Sequence, residues 1–199
     1  MKISLLKLAR NALLVVTTLP LFGAMYLGTQ YYTGNLHTVV KGELYRSGQP
    51  SPDMIRMIEK DHGIRSIINL RGSNYNADWY RKERQVSEQL GIEHVDFGMS
   101  AKEEVSPERI RQLVARFNTL PKPILIHCEG GADRSGLASA IYLALVKQEP
   151  INLASNQLSI LYGHIDEPFA VEPDAMHKSL AHLVANTKLL PKVFAQTAK

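Results

Sequence analysis

The stretch HCEGGADRSG, residues 127–136, sets a histidine, a cysteine, three glycines and an arginine within ten positions. Cys128 is the only cysteine among 199 residues, so no intramolecular disulfide can form. Gly130 and Gly131 allow backbone conformations closed to other residues, so that successive N–H groups can turn to one side. A helix opening near Ser135 would add unpaired N–H groups and its positive dipole end. Arg134, six positions after the cysteine, offers a planar fork for two oxygens of a phosphate. Together these make an anion cradle, residues 129–134 (Glu129, Gly130, Gly131, Ala132, Asp133, Arg134), with a thiol at its floor. That field favours thiolate over thiol, and a thiolate facing bound phosphate is placed for in-line attack on phosphorus. A buried thiol beside a glycine turn is the plain alternative. It leaves the Arg134 charge opposing a helix dipole, an objection that an anion ligand removes.

The elements around the loop fit this chemistry. PKPILIHC is the most apolar strand, and SGLASAIYLALVKQ is an apolar helix of small and large residues. Upstream, TVVKGELYRSGQPSP suggests an opening hairpin. SPDMIRMIEKDHG reads as a helix capped by Ser51 and stopped at Gly63. IRSIINL and IEHVDF read as strands, ADWYRKERQVSEQLG as a polar helix, and SPERIRQLVARFNTL as a helix capped by Ser106. Two further helices are expected over 151–163 and 174–186. This alternation predicts an α/β fold with a central, mainly parallel sheet flanked by helices. In such sheets ligands bind beyond the carboxyl ends of strands, where Cys128 falls.

HCEGGADRSG matches the H-C-x-x-G-x-x-R-[ST]-G signature of the cysteine-based protein tyrosine and dual-specificity phosphatases. With ELYRSGQPS, GIRSIINLR and PILIHC, residues 40–165 resemble the small atypical dual-specificity phosphatases of bacteria, fungi and plants. The resemblance implies a phosphomonoester hydrolase with a phosphocysteine intermediate on Cys128. Arg134 and the loop amides would bind phosphate and stabilise the transition state. Ser135 would donate a hydrogen bond to the sulfur, and His127 would orient the loop and help keep the thiol ionised. No cofactor and no metal is expected. The family's general acid precedes the cysteine by about thirty residues. Asp96, in HVDFGMSAKEE, lies 32 residues upstream and is assigned that role, with Glu103 and Glu104 in the same loop as alternatives.

Other residues read more plainly. Arg46 and Arg71 are expected in ion pairs, and Trp79 and Tyr80 in helix packing. His164, His177 and His182 show no metal-ligand spacing. Glu129 and Asp133 place two negative charges at the loop, which disfavours polyanions and tolerates a single phosphomonoester.

Charge is unevenly placed. Three of the 23 basic residues, Lys2, Lys7 and Arg10, fall in residues 1–30 without an acid, and the other 20 face 19 acidic residues. A nearly neutral body argues against nucleic acid as partner. MKISLLKLAR is followed by ALLVVTTLPLFGAMYLG, with no charge from Asn11 to Thr38. Residues 1–30 therefore read as an uncleaved signal anchor, a membrane-spanning helix, joined by a polar connector to a catalytic domain over 31–199. Positive charge inside puts that domain on the non-cytoplasmic side, the periplasm in a Gram-negative bacterium. Candidate substrates are phosphorylated proteins, lipids or envelope precursors. The competing readings are a catalytically weak phosphatase-like phosphate-binding module and a sulfur transferase, the latter fitting Arg134 and Ser135 less well.

Overall fold

A computed structural model describes residues 5–165 and 175–186. The chain forms α1 (Leu5–Tyr32), β1 (His37–Val40), β2 (Leu44–Ser47), α2 (Pro52–His62), β3 (Ser66–Asn69), α3 (Asp78–Gln89) and β4 (Glu93–Asp96). It continues through α4 (Pro107–Thr119), β5 (Ile124–His127), α5 (Asp133–Ile141), α6 (Ile151–Ala154) and α7 (Ala175–Asn186). The five strands lie in the order β1-β2-β5-β3-β4. Only the β1–β2 hairpin is antiparallel, so the expected mainly parallel sheet is present.

The three inner strands, β2, β5 and β3, are buried at every position. Helices cover both faces, which is why ILIH and SIIN read as unbroken runs rather than as alternation. Successive side chains still point to opposite faces. Ile68, Ile124 and Ile126 pack with Leu113 and Phe117 of α4 and Leu137 of α5. Ile67 and Leu125 pack on the other side with Ile55 and Ile58 of α2 and Val86 of α3. The helix starts follow local chemistry. Ser51 accepts the Met54 N–H at 3.2 Å and Ser106 accepts the Arg109 N–H at 3.3 Å, each with proline just inside the helix.

Three expectations change. The segment read as a polar connector begins inside α1, which runs to Tyr32, with the Thr29 and Thr33 hydroxyls donating back to the Tyr26 and Thr29 carbonyls. Gly34 and Asn35, both at positive φ, then end it. The helix expected over 151–163 is one turn, α6, followed by two 3-10 turns, Ser155–Gln157 and Ile160–Tyr162. The Gln157 carbonyl and side chain are drawn inward to Arg46, and Leu158 leaves helical geometry. Finally, α5 opens at Asp133 and passes into a π-helical turn at Tyr142–Val146. Lys2 and residues 187–199, assigned to the anchor and the body, lie outside the described residues.

Within α1, Arg10–Gln30 is 21 residues long, exposed, and long and apolar enough to cross a membrane. At 1.5 Å per residue it measures about 31 Å, close to a hydrocarbon core of about 30 Å.

Candidate active site

Strand β5 ends at His127 between β2 and β3, and delivers Cys128 to the carboxyl edge of the sheet. The four residues that follow have their carbonyls held from outside. The Glu129 oxygen accepts the Gln49 N–H at 2.9 Å. The Gly130 oxygen accepts Asn35 Nδ2 at 2.9 Å. The Gly131 and Ala132 oxygens accept Arg46 Nη2 at 2.8 and 2.9 Å. Across a trans peptide the next N–H points opposite to the carbonyl. Fixing these carbonyls outward therefore turns the N–H groups of residues 130–133 to the inner side. The Gly131 N–H, 3.2 Å from Cys128 Sγ, shows the result. Gly131 sits at φ +75°, and a Cβ there would fall 2.5 Å from Gly48 N and 2.7 Å from Ser47 C. Only glycine fits.

Arg134 completes the cradle. Its Nη2 is 4.0 Å from a Glu129 oxygen. Its Nε is buried with no hydrogen-bond partner. Buried donors are almost always satisfied, so an unpaired guanidinium N–H beside inward amides has the chemistry to take an anion ligand.

Arg46 is the outer frame. The ion pair expected for it is replaced by carbonyl oxygens. Nη2 holds the loop, while Nη1 donates to the Gln157 carbonyl at 2.8 Å and to Gln157 Oε1 at 3.0 Å. The guanidinium lies 4.4 Å over the Tyr162 ring. Burial lowers its pKa to about 10, against the opposing pull of Cys128, Tyr162 and Asp133. Arg46→Lys keeps a charge but loses the rigid fork that spans two segments. Phosphate affinity, read by calorimetry with inorganic phosphate, is expected to fall about tenfold, roughly 1.4 kcal/mol. An unchanged affinity would rule out the framing role.

Glu83 of α3 clamps the histidine before the cysteine. It is fully buried. Its Oε1 accepts His127 Nε2 at 2.9 Å and His94 Nε2 at 2.6 Å, and Oε2 accepts Gln49 Nε2 at 2.5 Å. Burial pushes the carboxyl pKa up, but the bonds from His127 and His94, the His127 charge and the Gln49 bond outweigh it and bring it down to about 2. Gln49 Oε1 in turn accepts Arg71 Nη1 at 2.9 Å. Arg71 lies 3.8 Å over the Trp79 ring, with Nη2 4.0 Å from Glu129. Trp79 thus shapes the rim of the loop through Arg71, beyond packing its own helix.

Several expected placements differ. The Ser135 hydroxyl donates to the Ser47 carbonyl at 3.3 Å rather than to the sulfur. Asp133 is engaged by His164 Nδ1 at 2.7 Å, and His164 Nε2 is 3.4 Å from His177 Nδ1. Glu129, 74% exposed, is the negative charge nearest Arg71 and Arg134. Asp96 ends β4, two strand spacings or about 10 Å from β5. One oxygen accepts Asn69 Nδ2 at 2.9 Å and the other the Tyr80 hydroxyl at 2.5 Å. It borders a hollow with Phe97 and Arg109, apart from the one that Glu129, Gly130 and Asp133 line. The structure gives Asp96 a strand-end bracing task, because its register partner on β3 is Asn69. Glu104 pairs with His182 at 3.0 Å. Among the described residues no cluster of three or more His, Cys, Asp or Glu could hold a metal.

Residues that carry this geometry yet were not assigned to the site by pattern are Asn35, Arg46, Gln49 and Glu83. Arg46 and Gln49 lie in ELYRSGQPS, so that phrase was the available signal.

An α/β sheet that presents an anion-cradling cysteine loop beyond its central strand defines a phosphatase domain of the tyrosine and dual-specificity class. Residues 33–172 match the profile of PTP-SAK, the Swiss Army Knife protein, DSP-PTPase phosphatase domain, and the chain belongs to that family. The fold is shared with solved phosphatases. The core catalytic domain of the PP-IP phosphatase SIW14 from S. cerevisiae is 20% identical, with a TM-score of 0.61 over 82% of this chain and 93% of that one. P. aeruginosa TpbA is also 20% identical, with a TM-score of 0.55 over 74% of this chain and 84% of that one. No curated protein matches the sequence.

Proposed function

We propose that the domain hydrolyses phosphomonoesters through a phosphocysteine on Cys128. The single observation that carries this is the set of four outward-held loop carbonyls, which aims the opposite N–H groups at the cysteine side. In the reaction, the thiolate attacks phosphorus in line, an S–P bond forms and the P–O bond to the leaving group breaks. Arg134 and the 130–133 amides hold the equatorial oxygens as charge shifts. Water then attacks phosphorus, the S–P bond breaks, and inorganic phosphate leaves. The test is turnover of an aryl phosphate by wild type and by Cys128→Ser, argued below.

The leaving oxygen needs a proton. With Asp96 braced by Asn69 and Tyr80, and Glu104 paired with His182, we infer that Glu103 donates it. Glu103→Gln is expected to lower kcat on an alkyl phosphate about 100-fold and to flatten the basic limb of the pH–rate profile. Asp96→Asn is expected to cost less than about tenfold. The reverse ranking would return the role to Asp96. The weak phosphate-binding module gains from the same bracing, and would show phosphate affinity with no turnover by wild type. We also propose that Arg10–Gln30 anchors the chain in a membrane, on the strength of its length, exposure and apolar composition.

A further inference from the structure

The end of α1 is built into the catalytic site. Tyr26 and Gln30 belong to the last turns of the apolar span, and both bond the carbonyl of Leu161, at 2.5 and 3.3 Å. Gln30 also lines the hollow at the loop mouth, together with Glu129, Gly130 and Asp133. Past the helix end, Asn35 uses one amide to hold both the Gly130 and the Tyr162 carbonyls, each at 2.9 Å. The turn Ile160–Tyr162 is therefore pinned on one side to the span. On the other side its Tyr162 ring lies under Arg46, which frames the loop. This turn carries two large apolar side chains out into solvent, Ile160 at 63% and Leu161 at 62% exposed.

Height above the bilayer follows from these contacts. The Leu161 carbonyl is level with the final turn of the span, since Tyr26 and Gln30 are one helical turn apart, about 6 Å. The headgroup layer outside the hydrocarbon is about 5–8 Å thick on each side. An anchored chain must then hold Ile160 and Leu161 at the hydrocarbon edge, with Tyr26 in the belt that tyrosines favour. The hollow bordered by Gln30 opens within the headgroup layer. A headgroup phosphate reaches that height unaided, whereas a folded phosphoprotein would have to enter between the mouth and the lipid. Glu129 beside the cradle sets a limit of its own, since it disfavours headgroups that carry several phosphates.

We propose that the rim formed by Ile160 and Leu161 is a bilayer-contact surface, and that the substrate is the phosphomonoester headgroup of a membrane lipid. The substrate half rests on the phosphocysteine reading above; the contact half rests only on α1 and the turn. Two measurements separate them, both on the full chain reconstituted in phosphatidylcholine vesicles. In the first, Ile160→Cys on the Cys128→Ser chain gives one thiol for an environment-sensitive dye. Quenching of that dye by lipids with brominated acyl chains is expected, and an unquenched dye overturns the contact surface. In the second, Ile160→Ser with Leu161→Ser is compared with wild type. Turnover of phosphatidic acid in the vesicles is expected to fall at least about tenfold, while turnover of a soluble aryl phosphate changes less than about twofold. Equal rates on phosphatidic acid would overturn the part that the Ile160–Leu161 rim plays at the bilayer, and a phosphotyrosine peptide cleaved far faster than phosphatidic acid by wild type would overturn the lipid substrate. A quenched dye with no turnover of any probe would keep the contact surface and overturn the reaction instead.

Discussion

Cys128→Ser is expected to cleave an aryl phosphate at least about 10⁴-fold more slowly than wild type, a loss of about 5.5 kcal/mol in transition-state stabilisation. The sulfur is the atom on which the S–P bond would form, and nothing near it can stand in. His127 is committed to Glu83, and Ser135 donates to the Ser47 carbonyl. A serine hydroxyl at 128 keeps its proton near neutral pH and is a far weaker nucleophile. The cradle itself should survive. Serine has nearly the same volume, and its oxygen can accept the Gly131 N–H that the sulfur now accepts. The carbonyls stay held by Gln49, Asn35 and Arg46, through bonds that do not involve the side chain of residue 128. Inorganic phosphate should therefore bind with an affinity within a few-fold of wild type, and the thermal midpoint should move by no more than about 4 °C. Retained turnover would remove the nucleophile, whereas lost turnover together with lost phosphate binding would mean that the loop had collapsed and would leave Cys128 with a structural role.

How much of this was legible in the sequence depends on the range of each interaction. Ser51, Pro52 and Gly63 act within one helix, so α2 could be read residue by residue. The burial of β5 was readable because ILIH needs no partner to be apolar. Cys128, Gly131 and Arg134 were readable because their spacing is local. The frame of the loop was not. Arg46 meets Gly131 across 85 positions and Gln157 across 111, and no local pattern marks a guanidinium as buried. Glu83 sits in a helix so polar that its one inward carboxylate looks like the rest. Asp96 shows the opposite case, in which a local pattern leaves out a long-range partner. A carboxylate at a strand end and at a plausible spacing looked catalytic, but the parallel register with β3 places Asn69 beside it. The connector after the anchor looked incidental because it is mostly polar and shows no period of its own. Asn35 matters only because the fold brings the Gly130 and Tyr162 carbonyls to it.

Glu83→Gln is expected to reduce kcat on an aryl phosphate about 100-fold, the scale at which groups that orient a catalytic histidine act. The carboxylate accepts three bonds, from His127, His94 and Gln49, and donates none. An amide of the same shape offers one acceptor oxygen. Its NH₂ must face either Gln49 Nε2 or a histidine N–H, donor against donor, so His127 loses its fixed position behind Cys128. A second signature separates this from a simple loss of packing. The folded carboxyl pKa, about 2, lies below its ordinary value of 4.5, so its contribution to stability is complete above about pH 4.5 and is lost as pH falls toward 2. The difference corresponds to about 3 kcal/mol, a large part of a typical 5–15 kcal/mol total. Glu43, also lowered to about 2 by bonds from Lys147 and Tyr142, titrates alike in both chains and cancels from the comparison. Urea unfolding at pH 6 should therefore show wild type well above Glu83→Gln in stability, and the gap should narrow steadily between pH 4.5 and pH 2.5. A gap that stays constant across that window would mean that Glu83 contributes shape alone. A kcat unchanged by the substitution would mean that His127 needs no carboxylate to hold it behind Cys128.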